Sequence, residues 1–142
     1  MDATTDRDRD DEGRARQDRP RDELGRPLPY GTQGVDPVSE QPLPPRETIA
    51  AARDLLRQGR PFSAHEVLEA RWKSCDDVER PLWKGLAQLC VGITHARRGN
   101  AVGAGRLVQR GAELLQAYAG PTYELDPTAL ISCARDQVDD LR

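Results

Sequence analysis

The spacing of apolar residues between Arg46 and Arg142 restricts this part of the chain to helices. Apolar side chains recur there every three or four residues, which is the period of an α-helix with one buried face. β-branched residues are few, and the alternation typical of a half-buried strand is absent. We therefore predict an all-α fold, a single compact bundle of about five antiparallel helices joined by short connections.

Proline, glycine and asparagine set the predicted helix boundaries. The predicted helices cover about residues 45–58, 61–74 or 63–74, 79–98, 101–118 and 127–141. We expect Gly59 and Gly99 to end the first and third helices, and Asn100 to cap the fourth. The third helix is apolar over most of its circumference, so it should be the central one. Glycines are costly inside a helix, and we expect those of the fourth helix to mark close contact with a neighbour: Gly103, Gly105 and Gly111.

Residues 1–45 have a different composition from the rest of the chain. They hold seven of the eleven prolines, long runs of Asp and Arg, and few large apolar side chains. Such a segment buries too little apolar surface to offset the entropy lost on ordering. We predict a disordered N-terminal tail over residues 1–45, followed by one helical domain over residues 46–142.

The charge balance points to no particular class of partner. The chain has a net charge of −3, and residues 46–142 hold 14 basic against 13 acidic side chains. Near-neutrality disfavours binding to nucleic acid, and the longest apolar run is too short to cross a membrane.

The sequence also indicates the compartment. No secretory signal opens the chain, and three scattered cysteines show no metal or disulfide spacing. We predict a cytoplasmic protein without membrane contact. Its partner is unknown, and the sequence leaves open whether the protein forms a homo-oligomer.

The stretch PFSAHEVLEARW places ionisable groups on the packing face of the second helix. At 3.6 residues per turn, one contiguous arc carries an aromatic residue, a histidine and a carboxylate: Phe62, His65, Leu68, Glu69 and Trp72. Burying a charge costs free energy unless it is paired, and residues four apart on a helix can touch. A polar site inside the bundle is the expected consequence.

The third helix supplies a second set of polar residues. Gln88 and His95 lie on a stripe separate from its leucines, and an antiparallel hairpin would bring His95 near His65. Facing helices of bundles commonly build binding sites in this way. The candidate ligand-binding or polar site comprises seven residues: His65, Glu66, Glu69, Trp72, Gln88, His95 and Asn100.

Three interpretations of this site stay open, and whether the protein is an enzyme stays open with them. The first is a satisfied hydrogen-bond network that only fixes helix packing, as in a structural or protein-interaction module. The second is a divalent metal site, for zinc, iron or manganese, held by His65, Glu69 and His95. The third is metal-free ligand binding or acid–base chemistry by the same residues. A further interpretation of Glu66 is that it forms a capping box with Ser63 at the start of the second helix.

Two blocks of this sequence, FSAHEVLEARW and then GLAQLCVGITHARRGNAVGAGRL, resemble a known family. The family is domain-of-unknown-function family 309 of bacteria and archaea, and the resemblance covers about Ala50 to Leu115. It implies an all-helical bundle and leaves the activity unassigned. The positions that match the family's motif are His65, Glu66, Glu69, Trp72, Gln88, His95, Gly99, Asn100, Gly103 and Ala104.

Overall fold

The computed structural model describes residues 8–9, 15–16 and 20–140. Five helices form the body of the fold, and no strand occurs among residues 46–140. The helices are α1 (Pro45–Arg57), α2 (Pro61–Ser74), α3 (Arg80–Arg97), α4 (Ala101–Ala117) and α5 (Pro127–Asp140). Ahead of them in the chain, two strands of two residues each pair antiparallel: β1 (Asp8–Arg9) and β2 (Ala15–Arg16). The predicted all-α fold is confirmed.

The helix ends follow from proline and glycine. Pro45, Pro61 and Pro127 are the first residues of α1, α2 and α5. A proline ring fixes φ near the helical value, and its missing N–H is one that the first turn would leave unpaired. Gly59 and Gly99 follow the C-caps of α1 and α3 with φ of 73° and 86°, a conformation that favours glycine. Both predicted helix stops are confirmed.

The central position of α3 is also confirmed. This helix contacts α2, α4 and α5. Its Leu82 and Trp83 are fully buried, and Leu89 and Ile93 are each only 4% exposed. Because α3 is apolar on most sides, it can be covered by three neighbours without burying unpaired charge.

The backbones of α3 and α4 approach closely where glycines face each other. A Cβ atom on Gly111 would lie 2.8 Å from the carbonyl oxygen of Gly85, and a Cβ on Gly92 would lie 2.6 Å from Cγ2 of Val108. These contacts pair the start of α3 with the end of α4, and the end of α3 with the start of α4. The antiparallel arrangement of the bundle as a whole stays a prediction.

The three glycines of α4 have three different surroundings. Gly111 makes the predicted close helix contact. Gly103 instead faces the helix cap, because a Cβ there would lie 2.4 Å from Nδ2 of Asn100. Gly105 has no neighbouring atom within 4 Å of the position a Cβ would take. The expectation of close helix contact is therefore wrong for Gly103 and Gly105.

Residues 20–36, which we call the strap, lie against α2 and the end of α3. Leu24 is only 8% exposed. The backbone of Gly25 passes so close to the ring of Phe62 that a Cβ would lie 2.2 Å from Cγ of that ring. Arg98, the C-cap residue of α3, donates a hydrogen bond to the carbonyl oxygen of Leu24. The strap therefore has a defined path across the helices that the sequence did not indicate.

Helix α1 starts at Pro45, and the division of the chain into a tail over residues 1–45 and a helical domain over residues 46–142 stays a prediction. Residues 1–7, 10–14 and 17–19 of the predicted tail lie outside the described residues. The disorder of residues 1–45 stays a prediction, and for the strap the contacts with Phe62 and Arg98 oppose it.

The loop between α4 and α5 is tied to the start of α3 through Glu79. Its carboxylate accepts a hydrogen bond of 3.1 Å from Nε1 of Trp83 and one of 2.6 Å from the hydroxyl of Tyr123. The Trp83 and Tyr123 rings stack with centroids 5.9 Å apart. Tyr123 and the following Glu124 have φ of 53° and 71°, which non-glycine residues adopt only when their surroundings enforce it. The contact with Glu79 supplies that enforcement.

We expect Tyr123→Phe to lower the free energy of unfolding at neutral pH by about 1.5 kcal/mol, since it removes a hydrogen bond to a charged group. That hydrogen bond also raises the pKa of Tyr123 to about 12. A raised pKa means that the contribution is present below the usual phenol pKa and is lost as pH rises through about 12. Urea unfolding followed by tryptophan fluorescence at several pH values measures both effects. Equal stability of the two proteins at pH 7 would contradict the prediction.

Candidate functional site

The polar cluster of α2 is a ladder of three ionisable side chains spaced four residues apart. Nε2 of His65 lies 2.7 Å from Oε2 of Glu69, and Nζ of Lys73 lies 2.6 Å from Oε1 of Glu69. The side chains of His65 and Glu69 are 17% and 28% exposed, whereas Lys73 is 67% exposed. The remaining ring nitrogen of His65, Nδ1, lies 3.3 Å from the carbonyl oxygen of Phe62. Both carboxylate oxygens and both ring nitrogens therefore have partners.

Glu66 and Glu69 lie three residues apart on α2, and their pKa values move in opposite directions. Burial alone would raise the pKa of Glu69, but the hydrogen bond from Lys73 and the charge of His65 outweigh it, so the pKa is lowered. Burial raises the pKa of Glu66 by more than the nearby charge of Arg21 lowers it. Glu66 makes no hydrogen bond or ion pair with any described residue. The carboxylate of Glu69 is ionised and fully paired, whereas that of Glu66 is half-buried and has no bonding partner in the described part of the chain.

His95, near the end of α3, is oriented by Asn100. The side-chain oxygen of Asn100 accepts a hydrogen bond of 3.0 Å from the N–H of Gly103, which confirms the predicted cap of α4. Its Nδ2 therefore points to Nδ1 of His95, at 3.2 Å, and donates to it. The neutral ring then carries its proton on Nε2. Burial lowers the pKa of His95, and the charge of Arg98 lowers it further.

His65 and His95 belong to two separate pairs. No hydrogen bond joins them, since His65 bonds to Glu69 and His95 bonds to Asn100. Among the residues that the structure describes, no group of three or more His, Cys, Asp or Glu side chains is placed to hold a metal ion. The geometry thus gives no support to the predicted metal ligands His65, Glu69 and His95.

Trp72 and Gln88, like Glu66, lie outside both pairs. Trp72 is partly buried, and the ammonium of Lys84 lies 5.3 Å from the centre of its ring. Oε1 of Gln88 is buried and has no hydrogen-bond partner among the described residues. An unpaired buried oxygen costs free energy, so Gln88 joins Glu66 as a predicted site residue that makes no hydrogen bond with the described residues through this group.

Phe62 contacts the α2 ladder, the end of α3 and the strap. Its ring centroid is 5.2 Å from that of His65, and the guanidinium of Arg98 lies 5.9 Å from its centre. The strap covers the same ring through Gly25. An apolar side chain beneath the strap therefore lies next to His65 at the start of the ladder.

The predicted capping box of Ser63 and Glu66 is wrong. The N-cap of α2 is Arg60, which makes no side-chain capping hydrogen bond. Pro61 starts the helix two residues before Ser63, so Ser63 lies within the first turn and its hydroxyl accepts a hydrogen bond of 3.1 Å from Arg60. Glu66 therefore has no capping role.

Two charged neighbours of the site were missed from the sequence. Lys73 could have been found, because it follows Glu69 by four residues on the same helix face. Arg21 could not, because it lies in the strap, and only the folded path of the strap brings it near Glu66.

Comparison with known proteins places the site in a recognisable segment. A relative, the uncharacterized protein YpuF of Bacillus subtilis (strain 168), is 42% identical over 57 residues, which is 39% of this chain and 33% of the relative. The chain thus matches about a third of that relative's length. No solved structure matches. Among the described residues, no helix combines the length and apolar character that crossing a membrane requires.

The segment with a family match begins in α1 and ends in α4. It covers all seven predicted site residues, whereas the strap and α5 lie outside it. The resemblance seen in the sequence is thereby confirmed, and residues 49–107 match the domain of unknown function DUF309.

Proposed function

We propose that this protein binds a small polar ligand at the polar cluster of α2, with the carboxyl group of Glu66 as the group that meets the ligand. The observation that carries the proposal is the contrast between Glu66 and Glu69. Neighbouring carboxyl groups whose pKa values move apart are typical of sites where one group holds a proton and the other stays ionised.

The surroundings of Glu66 suit an exchangeable partner. Burial raises the pKa of Glu66, so its protonated form, which can donate a hydrogen bond, is more accessible than that of an exposed glutamate. Glu69, held ionised by His65 and Lys73, supplies a fixed negative charge three residues further along α2. This arrangement supports hydrogen bonding to a polar ligand and, if the ligand is a substrate, general acid–base chemistry by Glu66.

A metal ion is not part of this proposal. The oxygens of Glu69 and Nε2 of His65 bond to each other and to Lys73, so a metal would have to displace those bonds.

The test uses Glu66→Gln, with Glu47→Gln at an exposed position of α1 as the matched control. A raised pKa means that ionised Glu66 costs stability as pH rises through its folded pKa, so Glu66→Gln should keep or increase stability at pH 7. Ligand binding should be lost in the same variant. Thermal unfolding in the presence of amino acids, monosaccharides and nucleosides measures both. A residue that lowers the stability of the fold but is required for ligand binding is what we expect at a functional site.

Two results would contradict the proposal. One is a titration of the Glu66 side chain, followed by carbon NMR, with a midpoint at or below that of Glu47. The other is a compound that stabilises the wild type and Glu66→Gln equally.

A protein-interaction module is the second candidate, and an apolar cavity favours it. The cavity has a volume of about 110 Å³ and lies between α1 and α5, which do not contact each other. Its lining includes Ile49 and Leu56 from α1 and Leu130 from α5, above Leu89 of α3. Glu66 is not in the lining of this cavity, so Glu66→Gln should leave the binding of a protein partner there unchanged.

A further inference from the structure

A second concave surface lies between the strap and the helices. It encloses about 580 Å³, a volume in the range of small-molecule sites. The strap forms one wall with Leu24 and Val35, and the turn between α1 and α2 forms another with Gly59 and Arg60. Arg97, the last residue of α3, completes the lining on the helix side. We call this surface the strap cleft.

The two arginines of the strap cleft differ in how they are held. Arg60 donates 2.6 Å and 3.1 Å hydrogen bonds from Nη2 to the carbonyl oxygen of Asp36 and the hydroxyl of Ser63. Its Nε is buried without a partner among the described residues. Arg97 is exposed and makes no hydrogen bond or ion pair with any described residue. The guanidinium of Arg60 is fixed in place, and that of Arg97 is not held by any residue that the structure describes.

The guanidinium of Arg97 lies at the wall of the strap cleft. Its Nη1 lies 3.8 Å from the point that a Cβ on Gly59 would occupy. The guanidinium therefore lies beside the turn between α1 and α2, which forms one wall of the strap cleft. The only acidic side chain in the lining is the exposed Glu23 of the strap, which leaves the described lining with net positive charge. An unpaired guanidinium at a cavity wall suits a carboxylate or a phosphate group.

We propose that the strap cleft binds a small organic anion, a carboxylate or a phosphate ester carried on an apolar body. Arg97 pairs with the anionic group, Arg60 adds its positive charge, and Leu24 and Val35 cover the apolar part. This site is separate from the one proposed at Glu66, and neither depends on the other.

Binding in the cleft should also hold the strap on the helices. The strap and the helices each supply part of the lining, so a ligand that touches both links them. Two backbone hydrogen bonds report on the strap itself: the N–H of Leu28 donates to the carbonyl oxygen of Pro20, and the N–H of Val35 donates to that of Arg21. Their amide exchange should slow when the ligand binds.

The experiment is calorimetric titration of the full chain with phenyl phosphate, benzoate, inorganic phosphate and neutral benzamide. Arg97→Gln is the test variant, and Arg106→Gln, an exposed arginine of α4 outside the cleft lining, is the matched control. We expect phenyl phosphate or benzoate to bind the wild type and Arg106→Gln with a salt-dependent affinity. Arg97→Gln should weaken that affinity about tenfold or more, as loss of a charge-assisted contact does.

Each outcome decides a part of the proposal. Binding of only one of the two aromatic anions supports it and identifies the head group. Equal binding by Arg97→Gln and Arg106→Gln overturns it, as does the absence of binding by both aromatic anions. Inorganic phosphate or benzamide binding as tightly as the aromatic anions would overturn the role of the apolar wall or of the charge. Glu66→Gln should bind the aromatic anions as the wild type does, which keeps this result apart from the test of the α2 site.

Discussion

Gly111→Ala is expected to destabilise the protein by about 1–3 kcal/mol, the cost typical of overpacking a well-packed interior. The added methyl would lie 2.8 Å from the carbonyl oxygen of Gly85, and a backbone oxygen inside a helix cannot rotate away as a side chain can. The helices α3 and α4 would have to separate, and the contacts of α4 with the central helix would loosen along its length.

Gly105→Ala is the matched control and should have the opposite sign. Both glycines are interior residues of α4, so alanine gains the same intrinsic helix propensity at each. At Gly105 the new methyl meets no atom within 4 Å, and we expect a gain of about 0.5–1 kcal/mol. Urea unfolding of the two variants measures the difference. Equal stabilisation by both substitutions would show that α3 and α4 are not in close contact at Gly111.

These two glycines illustrate what the sequence leaves undetermined about the fold. Spacing predicts that α4 is a helix and that its glycines need an explanation. It does not predict the rotation of α4 about its own axis, which decides that Gly111 meets Gly85 and that Gly105 faces open space. That rotation depends on side chains of another helix, which only the folded structure brings together.

The helix boundaries, by contrast, were predicted to within two residues because their causes are local. The first turns of α1, α2 and α5 are fixed by Pro45, Pro61 and Pro127. After the ends of α1 and α3, Gly59 and Gly99 adopt a positive φ that other residues rarely adopt. Each of these effects acts through bonds within a few residues, so no knowledge of packing is needed to read it.

The candidate site also has local contacts that the sequence predicts and long-range contacts that it does not. The contact of His65 with Glu69 and the cap made by Asn100 span three or four residues, and both were predicted. The convergence of His65 and His95 depends on packing between two helices and stays a prediction, while the bonds that the structure shows are local ones, to Glu69 and to Asn100. Arg21 beside Glu66 depends on the strap, whose composition predicted disorder.

Replacing Glu69 should have the largest effect of any change in the α2 ladder. We expect Glu69→Ala to lower the free energy of unfolding at pH 7 by about 2–3 kcal/mol, because it removes both charge-assisted hydrogen bonds and leaves Nε2 of the mostly buried His65 without its acceptor. Lys73 is exposed and can turn to water, so most of the loss comes from His65. Glu69→Gln keeps one acceptor oxygen, and about half that loss is expected.

The pH dependence follows from the lowered pKa of Glu69. A lowered pKa means that the contribution is present above the unfolded pKa of the carboxyl group and is lost as pH falls through the folded value. The gap between the wild type and Glu69→Ala should therefore be full at neutral pH and close in acid. Glu113→Ala, at an exposed pair with Gln109, is the control and should stay within about 0.5 kcal/mol of the wild type.

The same variants decide the metal interpretation. Thermal unfolding of the wild type and Glu69→Gln, each with and without zinc, iron(II) or manganese, separates a ligand from a hydrogen-bond acceptor. A metal held by His65 and Glu69 would raise the midpoint of the wild type by mass action and leave that of the variant unchanged. The hydrogen bonds of 2.6 Å and 2.7 Å already occupy both oxygens of Glu69, so we expect no response in either protein. Glu69 then acts by holding His65 in place and by keeping a fixed charge beside Glu66, whose carboxyl group has no hydrogen bond with the described residues.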